Sequence, residues 1–161
     1  MARDIFLKIA DLKGESMDDK HKEEIEIESF SWGISQQGGS GYGGGAGAGK
    51  ANFNDFAFTK RVDKASPELF LACANGKHFK DALLSVRKAG ENPLEYLKVK
   101  FTDILISSFQ PGGHEGNDVV MESISFNFTK VEMEYQEQGP DGKAKGGPVK
   151  QGYDVKLNKK V

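Results

Sequence analysis

A single cysteine, Cys73, leaves no possible disulfide within the 161-residue chain and no CxxC redox or zinc motif. No apolar run approaches the ~18 residues that a membrane-spanning helix needs. Charge of one sign is also missing: 22 bases against 24 acids give a net charge of −2. Such a balance does not favour nucleic acid or an anionic membrane as a partner. The opening Met1-Ala2-Arg3-Asp4-Ile5 leads straight into an alternating pattern, without the apolar stretch of a signal peptide. We therefore expect a chain made and folded in the cytoplasm.

The usual catalytic patterns are missing as well. His21, His78 and His114 stand far apart in the chain, so no zinc site is indicated. There is no G-x-S-x-G elbow. The acids Asp18, Asp19, Glu23, Glu24, Glu26 and Glu28 lack EF-hand spacing and are read as a charged strand face. Asn127-Phe128-Thr129 has the form of a glycosylation acceptor but lies in a strand pattern. These residues predict no enzyme, no metal and no cofactor.

Glycine is abundant, 20 of 161 residues against about 7 % in an average chain. Sixteen of them fall in three clusters: eight from Gly38 to Gly49, three from Gly112 to Gly116 and five from Gly139 to Gly152. The first cluster satisfies two phosphate-loop patterns, G-x-G-x-x-G from Gly39 and G-x-x-x-x-G-K ending at Lys50. Phosphate binding at such a loop needs a helix to follow, and Phe53 to Thr59 is strand-like instead. Ala51 also stands where a magnesium-binding hydroxyl is required.

Between the clusters the period is two. Ile5, Leu7 and Ile9 alternate, and so do Ile25 and Ile27, after which Phe30, Trp32 and Ile34 continue on the opposite parity. That phase change predicts a β-bulge near Glu28–Ser29. Further strands are read at Phe56–Phe58, Ala82–Val86, Leu97–Phe101, Ile104–Phe109, Val120–Phe128 and Val131–Tyr135, with a second bulge near Thr129, and Tyr153–Leu157 closes the chain. Helix is indicated once, at about 66–75. Ser66 is placed as N-cap, Pro67 at the first helical position, Glu68 at the positive end, and Asn75-Gly76 as the C-cap. Cys73 is assigned to the buried face of this helix. The expected fold is mainly β, an antiparallel barrel of about eight strands with one short side helix, in a single domain over 1–161.

With no chemistry indicated, surfaces carry the information. Residues 1–30 have nine acids and five bases, and residues 139–161 have two acids and six bases. Opposite signs at the two ends permit head-to-tail self-association. Ser31, Gly33 and Ser35 alternate with Phe30, Trp32 and Ile34, and Ser123 and Ser125 alternate with Ile124 and Phe126. These second faces are small and polar, suited to meeting neighbours or lining a wet channel.

Several segments, in order and at compatible spacing, resemble the haemolysin-coregulated protein (Hcp) family. They are Gly14-Glu15-Ser16 with His21, the run from Ile25 to Trp32-Gly33, Phe58-Thr59-Lys60, Asp63-Lys64 and Ser66-Pro67. Gly76-Lys77-His78, Val86-Arg87-Lys88, Tyr96-Leu97, Ser107-Ser108 and Gly152-Tyr153-Asp154 continue the match over nearly the whole chain. The resemblance implies a β-barrel, related to phage tail-tube proteins, that forms homohexameric rings. It implies that rings stack into the inner tube of a bacterial type VI secretion apparatus and are exported by it. Partners would be other copies of the chain, the sheath, spike and baseplate proteins, and small secreted effectors held in the ring lumen. The Gly-rich loop at about 36–52 is then the ring-stacking or subunit-contact loop, with Gly38, Gly39, Tyr42, Gly44, Gly47, Gly49 and Lys50 as its candidate residues. Ser31, Gly33, Ser35, Ser123 and Ser125 become the candidate lumen face, and no fused toxin domain is expected. The alternative left open is a monomeric β-barrel that binds a small ligand or acts as an enzyme.

Overall fold

The computed structural model describes residues 3–36, 50–88, 90 and 93–161. The elements run β1 (Arg3–Ile9), β2 (Ile25–Glu26), β3 (Ser29–Ser31), β4 (Ile34–Gln36), β5 (Ala51–Phe53), β6 (Phe56–Arg61), α1 (Ser66–Asn75), β7 (His78–Lys88), β8 (Glu95–Gly112), β9 (Met121–Asn127), β10 (Lys130–Tyr135), β11 (Val149–Asp154) and β12 (Lys159–Lys160). Every strand pairing among them is antiparallel. One path runs β12-β11-β10-β8-β7-β1-β2, and β8 also carries β9, which leads on to β6 and β3. The path does not return on itself, so the mainly β architecture matches the expectation while the barrel stays open. β4 and β5 form a separate ribbon.

The long strand β8 joins the two parts. Its first half lies between β7 and β10, and from Leu105 onward it pairs with β9. Alternation puts Leu7, Leu84 and Val99 on one inner surface and Phe56, Phe58, Ile124 and Phe126 on the other. Phe101 packs against Phe56, Phe126 and Phe128 with ring centroids 4.8, 5.2 and 4.8 Å away. Burying side chains of this size stabilises by ~1.5–3 kcal/mol each, which is the main force holding the two sheets together.

Neither expected bulge is where the sequence pattern places it. The Ile27 N–H bonds the Ile5 carbonyl, and the next N–H, that of Glu28, bonds the Thr59 carbonyl. The chain crosses there from the edge of β1 to the edge of β6, and the crossing, not an inserted residue, reverses the parity. Near Thr129 no residue is inserted either, since Leu105 faces Asn127 and Thr102 faces Lys130. Both strands change parity together at this point, where Asp103 adopts φ 53°. The extra residue sits instead at Ser107, between the pairs Ile106–Phe126 and Ser108–Ser125.

Helix α1 lies against β8, with Leu69 and Ala72 buried and the Phe70 ring 6.1 Å from that of Phe109. Pro67 is in the first turn, and Gly76 ends the helix in the left-handed conformation, φ 70°, with its N–H bonded to the Ala72 carbonyl. Ser66 is not the cap, because the N-cap position is Ala65 and carries no side-chain bond. Cys73 is half-buried against the core, a partial match to its expected place. Gly14 is required by a close approach, since a Cβ there would lie 2.4 Å from the Glu24 carbonyl oxygen.

Candidate functional site

The outer surface of the β3-β6-β9-β8 sheet is built by register. Ser31 faces Ala57, Ala57 faces Ser125, and Ser125 faces Ser108, making one row across four strands. Ser29, Thr59, Ser123 and Gln110 make the next row in the same way. None of these eight side chains carries a charge. Hydroxyls within the field bond each other: Ser29 Oγ lies 2.6 Å from Thr59 Oγ1, and Ser125 Oγ lies 2.6 and 2.8 Å from those of Ser108 and Ser107. Charges mark the ends. Arg61 with Glu28, 3.3 Å apart, borders one side, and at the other the Ser107 hydroxyl donates to Asp55 over 2.6 Å.

Of the residues expected on a lumen face, Ser31, Ser123 and Ser125 share this surface. Gly33 follows the end of β3, and Ser35 pairs with Asn52 on the β4–β5 ribbon, so these two lie off the sheet. Ser29, Ala57, Thr59, Ser108 and Gln110 complete the field and are not among the lumen residues expected from the sequence. Alternation with Phe30 and Phe58 gives Ser29 and Thr59 their outward parity, and cross-strand register is what joins them to Ser31, Ser123 and Ser125 in one field. Gly38, Gly39, Tyr42, Gly44, Gly47 and Gly49 lie outside the described residues. Lys50 is exposed and borders a cleft with Phe53, Asn54, Phe128 and Val155.

Hydroxyls both donate and accept, so this field can meet polar groups of either sign, and its short side chains let another surface approach closely. No imidazole is paired to any of its serines. His78 pairs with Asp103 at 2.9 Å, and His21 faces Glu24 at 2.5 Å and also Glu95, stacked 4.3 Å from the Phe6 ring. No group of three or more metal-ligating side chains occurs among the described residues, and no described helix is long and apolar enough to cross a membrane.

Two charged clusters lie inside the fold. Lys60 is fully buried, with Nζ donating to Asp63 at 2.7 Å, Ser66 at 2.9 Å and the Arg61 carbonyl at 3.1 Å, and lying 2.8 Å from Glu122. The Ser66 hydroxyl also donates to Glu122 over 2.9 Å and accepts the Asp63 N–H at 3.0 Å. Arg87 donates from Nη1 to Asp18 at 3.0 Å, from Nη2 to the other Asp18 oxygen, and from Nε to Asp4 at 3.2 Å. The Arg87 hydrogen bonds hold the Asp18 carboxyl below its usual range, and Asp18 in turn raises Arg87. Lys60, Asp63, Ser66, His21 and Arg87 all belong to segments that carried the family resemblance. They anchor the fold and leave the outer field to smaller residues.

The chain belongs to the type VI secretion Hcp family: residues 6–135 match the family described as "Type VI secretion system effector, Hcp". It is 48 % identical over 159 residues to "Protein hcp1" of Pseudomonas aeruginosa, covering 98 % of each chain. The solved structure of Hcp1 from Salmonella typhimurium is similar, with a TM-score of 0.83, 42 % identity and full coverage of both chains. Another, titled "Structure of a type six secretion system protein", reaches a TM-score of 0.92 at 34 % identity, covering 99 % of this chain and 100 % of that one.

Proposed function

We propose that this protein is the structural subunit of a type VI secretion inner tube. Its copies form hexameric rings that stack head to tail, pass out through the apparatus, and hold small effectors against the ring lumen. The observation that carries this reading is the two-row field of uncharged side chains from Ser31 to Ser108 and from Ser29 to Gln110. A fully solvated strand surface would carry charge of both signs. A surface that must let different proteins slide past has reason to carry neither. On this reading Ser31, Ser123 and Ser125 line the lumen together with Ser29 and Thr59, and function is geometry, without catalysis or a cofactor.

The loop with Gly38, Gly39, Tyr42, Gly44, Gly47, Gly49 and Lys50 is assigned to ring or subunit contact. Its glycines raise the entropy cost of ordering it, which makes stacking of isolated rings weak. Residues 1–161 act as one domain, folded in the bacterial cytoplasm and then exported by the apparatus. The sheath, spike and baseplate proteins are its partners in the apparatus, with no role for nucleic acid or membrane insertion. Absolute mass by light scattering on a size-exclusion column, at two protein and two salt concentrations, tests the reading. A species near six times the 17.6 kDa chain is expected, growing at high concentration. A monomer under every condition removes the tube mechanism.

A further inference from the structure

Two residue rows cross the inner side of the larger sheet and lose their cover toward one end. Leu7, Leu84 and Val99 are buried, and the next member of that row, Met133 on β10, is 45 % exposed. In the neighbouring row Val86 is buried, Leu97 partly so, and then Tyr135 and Val149 stand 48 % and 65 % exposed. The strip Met133, Tyr135 and Val149, with Gln151 facing Met133 beside it, continues these core rows, and nothing among the described residues covers it. A continuous apolar strip of this kind marks a contact surface.

Charge indicates what covers it. Beside the strip, Lys160 faces Tyr153 on β12, with Lys159 next to it and Lys156 in the turn before it. None of these three forms an ion pair among the described residues, although Lys159 faces Asp154 across the ladder. At the far end of the same strand path, Glu26 on β2 has no basic partner among the described residues, and the Glu15 carboxylate accepts only the Lys64 N–H. Both end strands are two residues long, too short to extend a sheet by strand addition, so contact there is through side chains. A basic, apolar end and an acidic end on one molecule allow a head-to-tail contact that each copy uses twice, and such contacts close into rings where the rotation between copies permits.

We infer that the strip on β10 and β11 is the seat of a neighbouring copy of this chain, which presents its acidic β2 edge to the lysines of β12. The inference rests on the ring reading above and names the contact that builds the ring. The test is the concentration dependence of the ring mass for five chains: the unaltered protein, Tyr135→Glu/Val149→Glu, Lys159→Glu/Lys160→Glu, Glu15→Lys/Glu26→Lys, and the last two pairs combined. Placing two carboxylates on the strip should raise the concentration needed for rings by about 100-fold or more. Circular dichroism and melting should not change, because both residues are exposed. Each charge reversal should weaken rings, less so at high salt, and the combined chain should regain them, since every contact again pairs opposite signs. Rings in the unaltered protein together with undiminished rings in the strip variant overturn this contact alone. Failure of the combined chain to exceed either reversal overturns the charge pairing. A monomeric unaltered protein overturns the ring reading and this inference with it.

Discussion

On β6 and β9, successive residues serve two surfaces that differ in chemistry while sharing one backbone. Inward, the cross-strand pairs are Phe56–Phe126, Phe58–Ile124 and Lys60–Glu122. Outward, they are Ala57–Ser125, Thr59–Ser123 and Arg61–Met121. The inward set is fixed by packing, and even its charged pair is enclosed, with Lys60 at 0 % and Glu122 at 2 % exposure. The outward set contributes little area to the core, so stability places few demands on it. Apart from Arg61 and Met121 at the border, its members are small and uncharged, which stability does not demand, and the proposed lumen role supplies a cause. Function here reads from residues that the fold does not need.

The inward face should show the largest effects. Phe126→Ala removes a ring packed against Phe56, Phe58 and Phe101, and should cost about 3–5 kcal/mol in urea unfolding. Next comes Lys60→Met, which leaves Glu122 and Asp63 enclosed without their cation and should cost about 3 kcal/mol. Adding Glu122→Leu to it should recover part of that loss, because the stranded carboxylate is then gone. If Lys60→Met unfolds no more easily than the unaltered chain, the inward face is less uniform in its demands than the comparison holds.

Much of this inward face was legible in the sequence, because the period-2 placement of Phe56, Phe58, Leu84, Val99 and Phe126 is dictated by burial. The helix was legible for the same reason, with Pro67 and Gly76 marking its ends. Parity alone does not separate a bulge from a strand that changes partner, so the crossing after Ile27 reads as an inserted residue. Ser66 reads as a cap because serine caps helices, while in the fold Lys60, Glu122 and the Asp63 N–H occupy its hydroxyl. The outward field was half legible. Ser31, Ser123 and Ser125 stand out by alternation, while the registers of β6 with β3 and of β8 with β9 are what bring Ser29, Thr59 and Gln110 into one field with them. Extending the same alternation past Ser31 reached Gly33 and Ser35, which the chain carries away onto another ribbon.

Charge that still reaches solvent should behave between the two extremes. Arg87 keeps the Asp18 carboxyl below its usual range, so this pair contributes stability above the ordinary carboxylate region and loses it as acid protonates Asp18. Asp18→Asn should therefore be less stable than the unaltered chain at neutral pH, with the two converging below about pH 4. Partial solvent screening keeps this smaller than the Lys60 effect. Melting curves across pH check it, and parallel curves at all pH values would show that the pair contributes nothing.

The smallest effect on folding should come with the largest effect on function. Ser123→Arg places a long cation on an exposed position in the centre of the outward field, beside Thr59 and Gln110. Nothing in the core touches that position, so unfolding free energy should stay within about 0.5 kcal/mol of the unaltered value. Ring mass should persist too, since Ser123 lies away from both ends of the strand path. Capture of an effector exported by the same apparatus should nevertheless fall, because an extended guanidinium fills space that short hydroxyls leave open and adds a charge to a field that has none. Ser123→Ala is the matched control, with the same small volume and no charge, and should capture nearly as well. Equal capture by the arginine and alanine variants would mean that the field is small and uncharged for some reason other than what passes over it.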